Sequence, residues 1–300
     1  MSLPILPPYL KPGDLLRVIA PSGALRETEA FHQSIKIWKA RGYRVEIPAN
    51  IDDQHGYLAG TDIHRLQQLA AAWEDPECRG ILCVRGGFGC TRILEDWNWP
   101  KRNLIPPKWL IGFSDITALL WSLYNAGIGS VHGPVLTTLA NEPEWSIQRL
   151  WNIVEGRPLA PLKGKGWGGG RSTGILLPGN LTVATHLLGT AILPDFEDVI
   201  LALEDVTETP YRIDRMLTQW RLSGILSKVR GIALGGFTKC EAPPNIPSFT
   251  VEEVLQERLA NLSIPTVSNL PFGHDYPNAA LPVGMMVTLD AEQGILHFSP

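Results

Sequence analysis

The sequence predicts an α/β protein with an N-terminal parallel-sheet domain followed by a smaller mixed α/β domain. Three observations carry this prediction. Short apolar runs alternate with helical patterns through the first half. Residues 157–173 then interrupt that rhythm with two prolines and five glycines. Beyond them the alternation resumes less regularly. The chain has 300 residues, which suits two domains of about 150 residues each. Hydrophobic residues make up 44% and charged residues 19%, enough for a sizeable core.

In order, Leu15–Ala20 reads as a buried strand ending at the turn Pro21-Ser22-Gly23. Residues 28–40 carry Ala30, Phe31, Ile35 and Trp38 at helical spacing. Tyr43–Ile47 is the next strand, and Asp62–Trp73 the next helix, with Asp62 as its N-cap. Gly80–Val84 and Trp109–Phe113 are further strands, the second running into a helix over Ile116–Tyr124. Repeated strand–helix units imply a parallel, flavodoxin- or Rossmann-like sheet over residues 1–156. Residues 157–173 read as a linker or mobile loop. The second domain, 174–300, then has helices at Leu181–Leu188, Tyr211–Leu222 and Val251–Leu259. Its strands fall at Val199–Leu203 and Gly231–Leu234, and a hairpin at Met285–Leu289 and Ile295–Phe298 closes it.

Composition excludes several classes. Lys and Arg total 26 against 30 Asp and Glu, a net charge of −4 without a basic block, which disfavours nucleic-acid binding. No run reaches the roughly 20 apolar residues of a membrane helix. The N-terminus lacks a signal-peptide pattern, so a cytoplasmic protein is expected. The four cysteines, Cys78, Cys83, Cys90 and Cys240, have no zinc-site spacing and read as free thiols; no metal or other cofactor is expected. The 29 glycines and 25 prolines imply many tight turns.

Two glycine-rich stretches miss nucleotide-binding fingerprints. Gly87–Arg92 ends on arginine where glycine is required, and Lys165–Ser172 begins on lysine where a phosphate loop needs glycine. The turn Ile111-Gly112-Phe113-Ser114-Asp115 is more informative. A strand meets a helix at a serine, the setting of a nucleophile elbow, although Ile116 stands where the elbow has glycine. Taken alone, the turn better suits Ser114 and Asp115 as caps of the following helix. Among seven histidines, His132 and His274 sit in turns after apolar runs and are the candidate bases. Glu204, at the end of the Val199–Leu203 strand, is a candidate orienting acid, with Asp205 and Glu208 nearby.

The chain resembles the L,D-carboxypeptidases of murein recycling, a serine-peptidase family that includes the microcin-immunity peptidases. The resemblance spans nearly the whole chain. Its landmarks are Ala20-Pro21-Ser22-Gly23, Val84-Arg85-Gly86-Gly87-Phe88-Gly89, Ile111–Asp115, His132-Gly133-Pro134 and Gly179-Asn180-Leu181 with Gly189-Thr190. Leu203-Glu204-Asp205-Val206 through Tyr211–Leu217, Gly273-His274 with Asn278, and Leu281–Gly284 complete them. The resemblance implies Ser114 as nucleophile, His274 as base and Glu204 as the acid that orients it. It implies oxyanion-hole N–H groups from Asp115 and Gly87, with Gly86 as the alternative to Gly87.

The resemblance further implies release of D-alanine from the L-centre of a diamino acid in a murein tetrapeptide, with no cofactor and a homodimeric enzyme. An anionic substrate calls for a basic contact, for which Arg85 and Arg171 are candidates. The family's other branch implies an alternative, cleavage of an aminoacyl-nucleotide amide, for which Trp167 is a candidate stacking aromatic, though it reads more simply as an ordinary linker tryptophan. A catalytically silent peptide-binding protein is a third reading, which labelling by a serine reagent distinguishes.

Overall fold

A computed structural model describes residues 3–100, 104–275 and 277–298. In chain order the elements begin β1 (Leu15–Ile19), α1 (Thr28–Ala40), β2 (Arg44–Glu46), α2 (Asp62–Glu74) and β3 (Cys78–Cys83). They continue with α3 (Cys90–Ile93), β4 (Trp109–Gly112), α4 (Thr117–Asn125), β5 (Ser130–His132) and α5 (Glu144–Val154). Next come β6 (Leu162–Lys163), β7 (Lys165–Gly166), β8 (Arg171–Asn180), α6 (Leu181–His186), β9 (Val199–Val206) and α7 (Pro210–Leu222). The chain closes with β10 (Gly231–Thr238), α8 (Val251–Leu259), β11 (Thr266–Ser268), β12 (Leu281–Val283), β13 (Met286–Asp290) and β14 (Ile295–Phe298).

The chain divides into two compact units, Met1–Pro158 with Ala279–Gly284, and Leu159–Asn278 with Met285–Pro300. The first is built on a sheet of order β2-β1-β3-β4-β5-β12. Its first five strands are parallel and follow the flavodoxin-like order, while β12 joins β5 antiparallel. Strand order reverses between β1 and β3, so the turns after their carboxyl ends flank a switch point, where open α/β sheets hold ligands. The core follows the sequence pattern. Helix α1 buries Phe31, Ser34, Ile35 and Trp38, one helical stripe. Helix α4 buries all its residues except Ser122 and Asn125.

The second unit holds an eight-stranded sheet of order β6-β14-β13-β8-β9-β10-β11-β7. The central four strands, β8 to β11, are parallel, and the flanking pairs are antiparallel. The sheet is therefore mixed, as expected. Helix α7 starts on Pro210 and buries Ile213, Met216, Leu217 and Trp220; α8 opens with a capping box between Thr250 and Glu253.

Several expectations are corrected. Segment 157–173 is not a plain linker: β6 pairs with β14 and β7 with β11. Its glycines allow close backbone approach, since a Cβ at Gly164 or Gly166 would collide with the carbonyl oxygen of Ser268 or Ala291. Residues 279–284 belong with the first unit, because β12 completes its sheet. Thr61, not Asp62, caps α2, accepting the His64 N–H at 3.2 Å, while Asp62 pairs with Arg65 and Arg92. His132 lies within strand β5 rather than in a turn. Among the described residues, no helix is long and apolar enough to cross a membrane.

Candidate active site

In the first unit the candidate groups gather on three turns that follow β1, β3 and β4. After β4, Phe113 is extended and Ser114 turns into a left-handed conformation, φ +64°, at the start of a single 3-10 turn. For an L-residue other than glycine this costs about 1–2 kcal/mol, so the surroundings must hold it. Ser114 therefore does not cap α4. Nor does Asp115, whose carboxylate Oδ2 accepts the Ser22 hydroxyl at 2.6 Å and the Cys90 N–H at 2.9 Å.

The turn after β3 brings Gly86 against the serine. A Cβ on Gly86 would lie 2.8 Å from both Cβ and Oγ of Ser114 and 3.4 Å from the Asp115 nitrogen. Glycine is required there for close approach. Gly87 has φ +116°, a second position that favours glycine, and lies against Gly23. Ser114, Asp115, Gly86 and Gly87 are thus brought together. Arg85 is beside them, but its guanidinium donates to the Ala24 carbonyl at 3.1 Å and lies 3.6 Å from Glu27. Cys90 beside them is not an activated thiol, because burial and the neighbouring Asp115 charge hold it well above the ordinary range.

In the second unit, Glu204 on β9 is fully buried, and its Oε2 lies 2.6 Å from His274 Nδ1. The loop after β11 makes this possible. Gly273 has φ +117°, and a Cβ there would lie 2.9 Å from Glu204 Cβ and 3.0 Å from Oε2. Its N–H donates to Asn278 Oδ1 at 3.0 Å. Burial disfavours the imidazolium of His274, but the hydrogen bond and charge of Glu204 more than offset this and raise its pKa above the ordinary value.

Glu204 has support that sequence reasoning missed. Asn180, opposite it in register at the end of β8, donates Nδ2 to Glu204 Oε1 at 3.2 Å and to Asp205 Oδ1 at 3.0 Å. The same side chain caps α6 by accepting the Val183 N–H. An asparagine between an apolar strand and a helix was the available signal. Asp205 accepts both the N–H and the hydroxyl of Thr182. Burial, with the adjacent Glu204 charge, pushes the Asp205 pKa up to about 6 against the hydrogen bonds of Thr182, Val206 and Asn180.

Two further candidates are placed elsewhere. Arg171 is exposed at the opposite end of ten-residue β8 from Asn180, where its backbone is in register with Asp290 of β13. At about 3.3 Å per residue it stands roughly 30 Å along the strand from the Glu204 register. Trp167 is partly buried after β7 and donates its indole N–H to Ser268 Oγ at 2.9 Å. It lines a 360 Å³ cavity whose other walls include Phe272 and Asp275 from the loop that carries His274. Among the described residues, no group of three or more His, Cys, Asp or Glu side chains is arranged to hold a metal ion.

Comparison with known proteins gives this geometry a context. Residues 16–133 match the LD-carboxypeptidase N-terminal domain, and residues 173–289 match the C-terminal domain. A Synechocystis sp. protein whose name calls it a carboxypeptidase, without assigning a substrate, is 57% identical over 300 residues and 99% of each chain. The Pseudomonas aeruginosa murein tetrapeptide carboxypeptidase is 32% identical over 92% of this chain and 93% of its own. The crystal structure of muramoyltetrapeptide carboxypeptidase from Oxalobacter formigenes superposes with a TM-score of 0.84 at 30% identity, covering 94% and 97%. The microcin-immunity protein MccF shares the fold at 20% identity, with a TM-score of 0.88 over 99% of each chain. With both domain models matched in order, the chain belongs to the LD-carboxypeptidase family.

Proposed function

We propose that the protein is a cytoplasmic serine L,D-carboxypeptidase, acting as a homodimer, that releases terminal D-alanine from murein tetrapeptides. The observation that carries this reading is the 2.6 Å contact between Glu204 Oε2 and His274 Nδ1. A carboxylate on Nδ1 holds the imidazole in the tautomer whose Nε2 accepts a proton, the state required of a general base. The reading requires Ser114 Oγ within reach of that nitrogen during turnover.

In this mechanism His274 Nε2 takes the Ser114 proton as Oγ attacks the carbonyl of the diamino-acid residue. The oxyanion is stabilised by the N–H groups of Asp115 and Gly87. His274 then protonates the leaving nitrogen of D-alanine, and water, activated by the same imidazole, hydrolyses the acyl-enzyme. Arg85 is the remaining candidate for the substrate carboxylate. Mass detection of D-alanine released from tetrapeptide tests the proposal. Native protein is expected to release it and Ser114→Ala to fail while folded; turnover by the variant would sink the assignment.

The second reading is cleavage of an aminoacyl-nucleotide amide. It is favoured by Trp167, whose ring lines the cavity walled by the His274 loop and offers a flat partner to a base. Parallel assays with tetrapeptide and an aminoacyl sulfamoyl adenylate separate the two readings.

A further inference from the structure

We infer that Ser22 is a positioning residue for the oxyanion hole. Its hydroxyl holds the Asp115 carboxylate, and through it the Asp115 N–H and the left-handed turn of Ser114. The inference rests on the reading of Ser114 as the nucleophile.

Ser22 lies in the turn after β1, and both its side chain and that of Asp115 are buried, at 0% and 3% exposure. A buried carboxylate is costly unless its oxygens receive hydrogen bonds. Here one oxygen, Oδ2, receives two, from Ser22 Oγ at 2.6 Å and from the Cys90 nitrogen at 2.9 Å. The donors come from different turns, so the carboxylate ties the turns after β1 and β3 to the turn after β4. Because Asp115 follows Ser114 directly, clamping its side chain also restrains the strained serine backbone and the N–H proposed to meet the oxyanion.

The Ser22 turn also supports the second proposed donor. Gly23 N–H donates to the Gly86 carbonyl at 3.2 Å. A Cβ on Gly87 would lie 3.4 Å from Gly23 Cα and 3.7 Å from Ser22 Oγ. Behind these turns buried Arg65 donates Nη1 to the carbonyls of Pro21 and Gly89. Arg65 thus ties two turns to each other, while Ser22 extends the tie to Asp115. A serine is suited to this place because its short hydroxyl reaches the carboxylate without adding charge.

The test is the rate at which a fluorophosphonate labels Ser114 in the full-length protein. In that reaction the Ser114 Oγ–P bond forms as the P–F bond breaks, fluoride leaves, and the hydroxyl proton passes to the base. The phosphoryl oxygen occupies the oxyanion hole whatever the natural substrate. Ser22→Ala is expected to slow labelling at least about tenfold, and to lower kcat for D-alanine release similarly with KM within about twofold, because the donors rather than the binding contacts lose their alignment. Labelling of folded Ser22→Ala at the native rate would overturn the inference, as would a loss confined to KM. If Ser22→Ala does not fold, Ser22→Cys decides, since a thiol is a weaker donor of similar shape. Slowed labelling at unchanged Tm supports the inference, and native-rate labelling overturns it. Native protein that is labelled at Ser114 yet releases no D-alanine refutes the substrate assignment and leaves the positioning role standing. Absence of labelling at Ser114 refutes both.

Discussion

Glu204 Oε2 and His274 Nδ1 lie 2.6 Å apart although seventy residues separate them in sequence. Gly273 makes the contact possible, because its missing Cβ leaves room for the glutamate stem. The pair has consequences that separate its electrostatic role from its packing role.

Glu204→Gln preserves the shape but removes the charge that fixes the histidine tautomer. A fall in kcat of roughly 10³–10⁴-fold is expected, the scale seen when a triad carboxylate becomes an amide. Steady-state kinetics beside a thermal melt checks this; a loss below about tenfold would show that the pair is not used in turnover.

The acid limb of kcat/KM should lie above pH 6.5, because in the proposed mechanism only neutral His274 accepts the Ser114 proton and its pKa is raised from 6.5. Stability carries the same linkage. The stabilisation from the charged pair is complete below about pH 6.5 and is lost as pH rises through the higher folded pKa. Glu204→Gln removes the interaction that offsets burial, so the limb should move to lower pH. A pH–rate profile of native and variant protein measures this shift.

Asp205→Asn should destabilise the second unit. The donors Thr182 N, Thr182 Oγ1, Asn180 Nδ2 and Val206 N all face its two oxygens. An amide presents NH₂ to one set of them, costing about 1–3 kcal/mol for a buried donor left unmatched. The cost should shrink at high pH. The native carboxyl, with its pKa raised to about 6, is stabilised relative to the unfolded chain below about pH 3.8 and loses that contribution through pH 6. Urea denaturation at pH 5 and pH 8 tests both statements.

Gly86→Ala should abolish turnover more than it disturbs folding. The added Cβ meets Ser114 Cβ and Oγ at 2.8 Å, so the proposed nucleophile must move. Misplacement on the scale of 1 Å costs about 100-fold in rate. Gly166→Ala offers the contrast, since its Cβ strikes the Ala291 carbonyl at the sheet edge and should lower Tm. Parallel kinetics and melts of both variants distinguish a site glycine from a sheet glycine.

Periodicity alone revealed β1, α1, β4, α7 and α8, because each buries a stripe or run made mostly of its own apolar side chains; it also revealed α2, although the buried stripe there includes Arg65 and Gln68 and leaves Ile63 exposed. It missed β11 and β12, three-residue strands too short to show a period. Within 157–173 the glycines also permit close approach to carbonyl groups beside the two-residue strands β6 and β7, a role that composition does not show. Arg171, a basic candidate by residue type, lies at the far end of β8 from Asn180, a separation that residue type alone does not show.

The sequence by itself determined the α/β alternation and the serine at a strand–helix junction, and its resemblance to the family's motifs nominated Ser114, Glu204 and His274 as the proposed triad. These are local patterns, and local patterns survive in one dimension. Only the tertiary structure decided that Ser114 adopts a left-handed turn, that Asp115 anchors to Ser22 and Cys90 instead of capping a helix, and that Asn180 bridges two carboxylates. Each of those depends on a hydrogen bond or a close approach between segments distant in sequence. Its energy exists only once the sheets have brought the segments together.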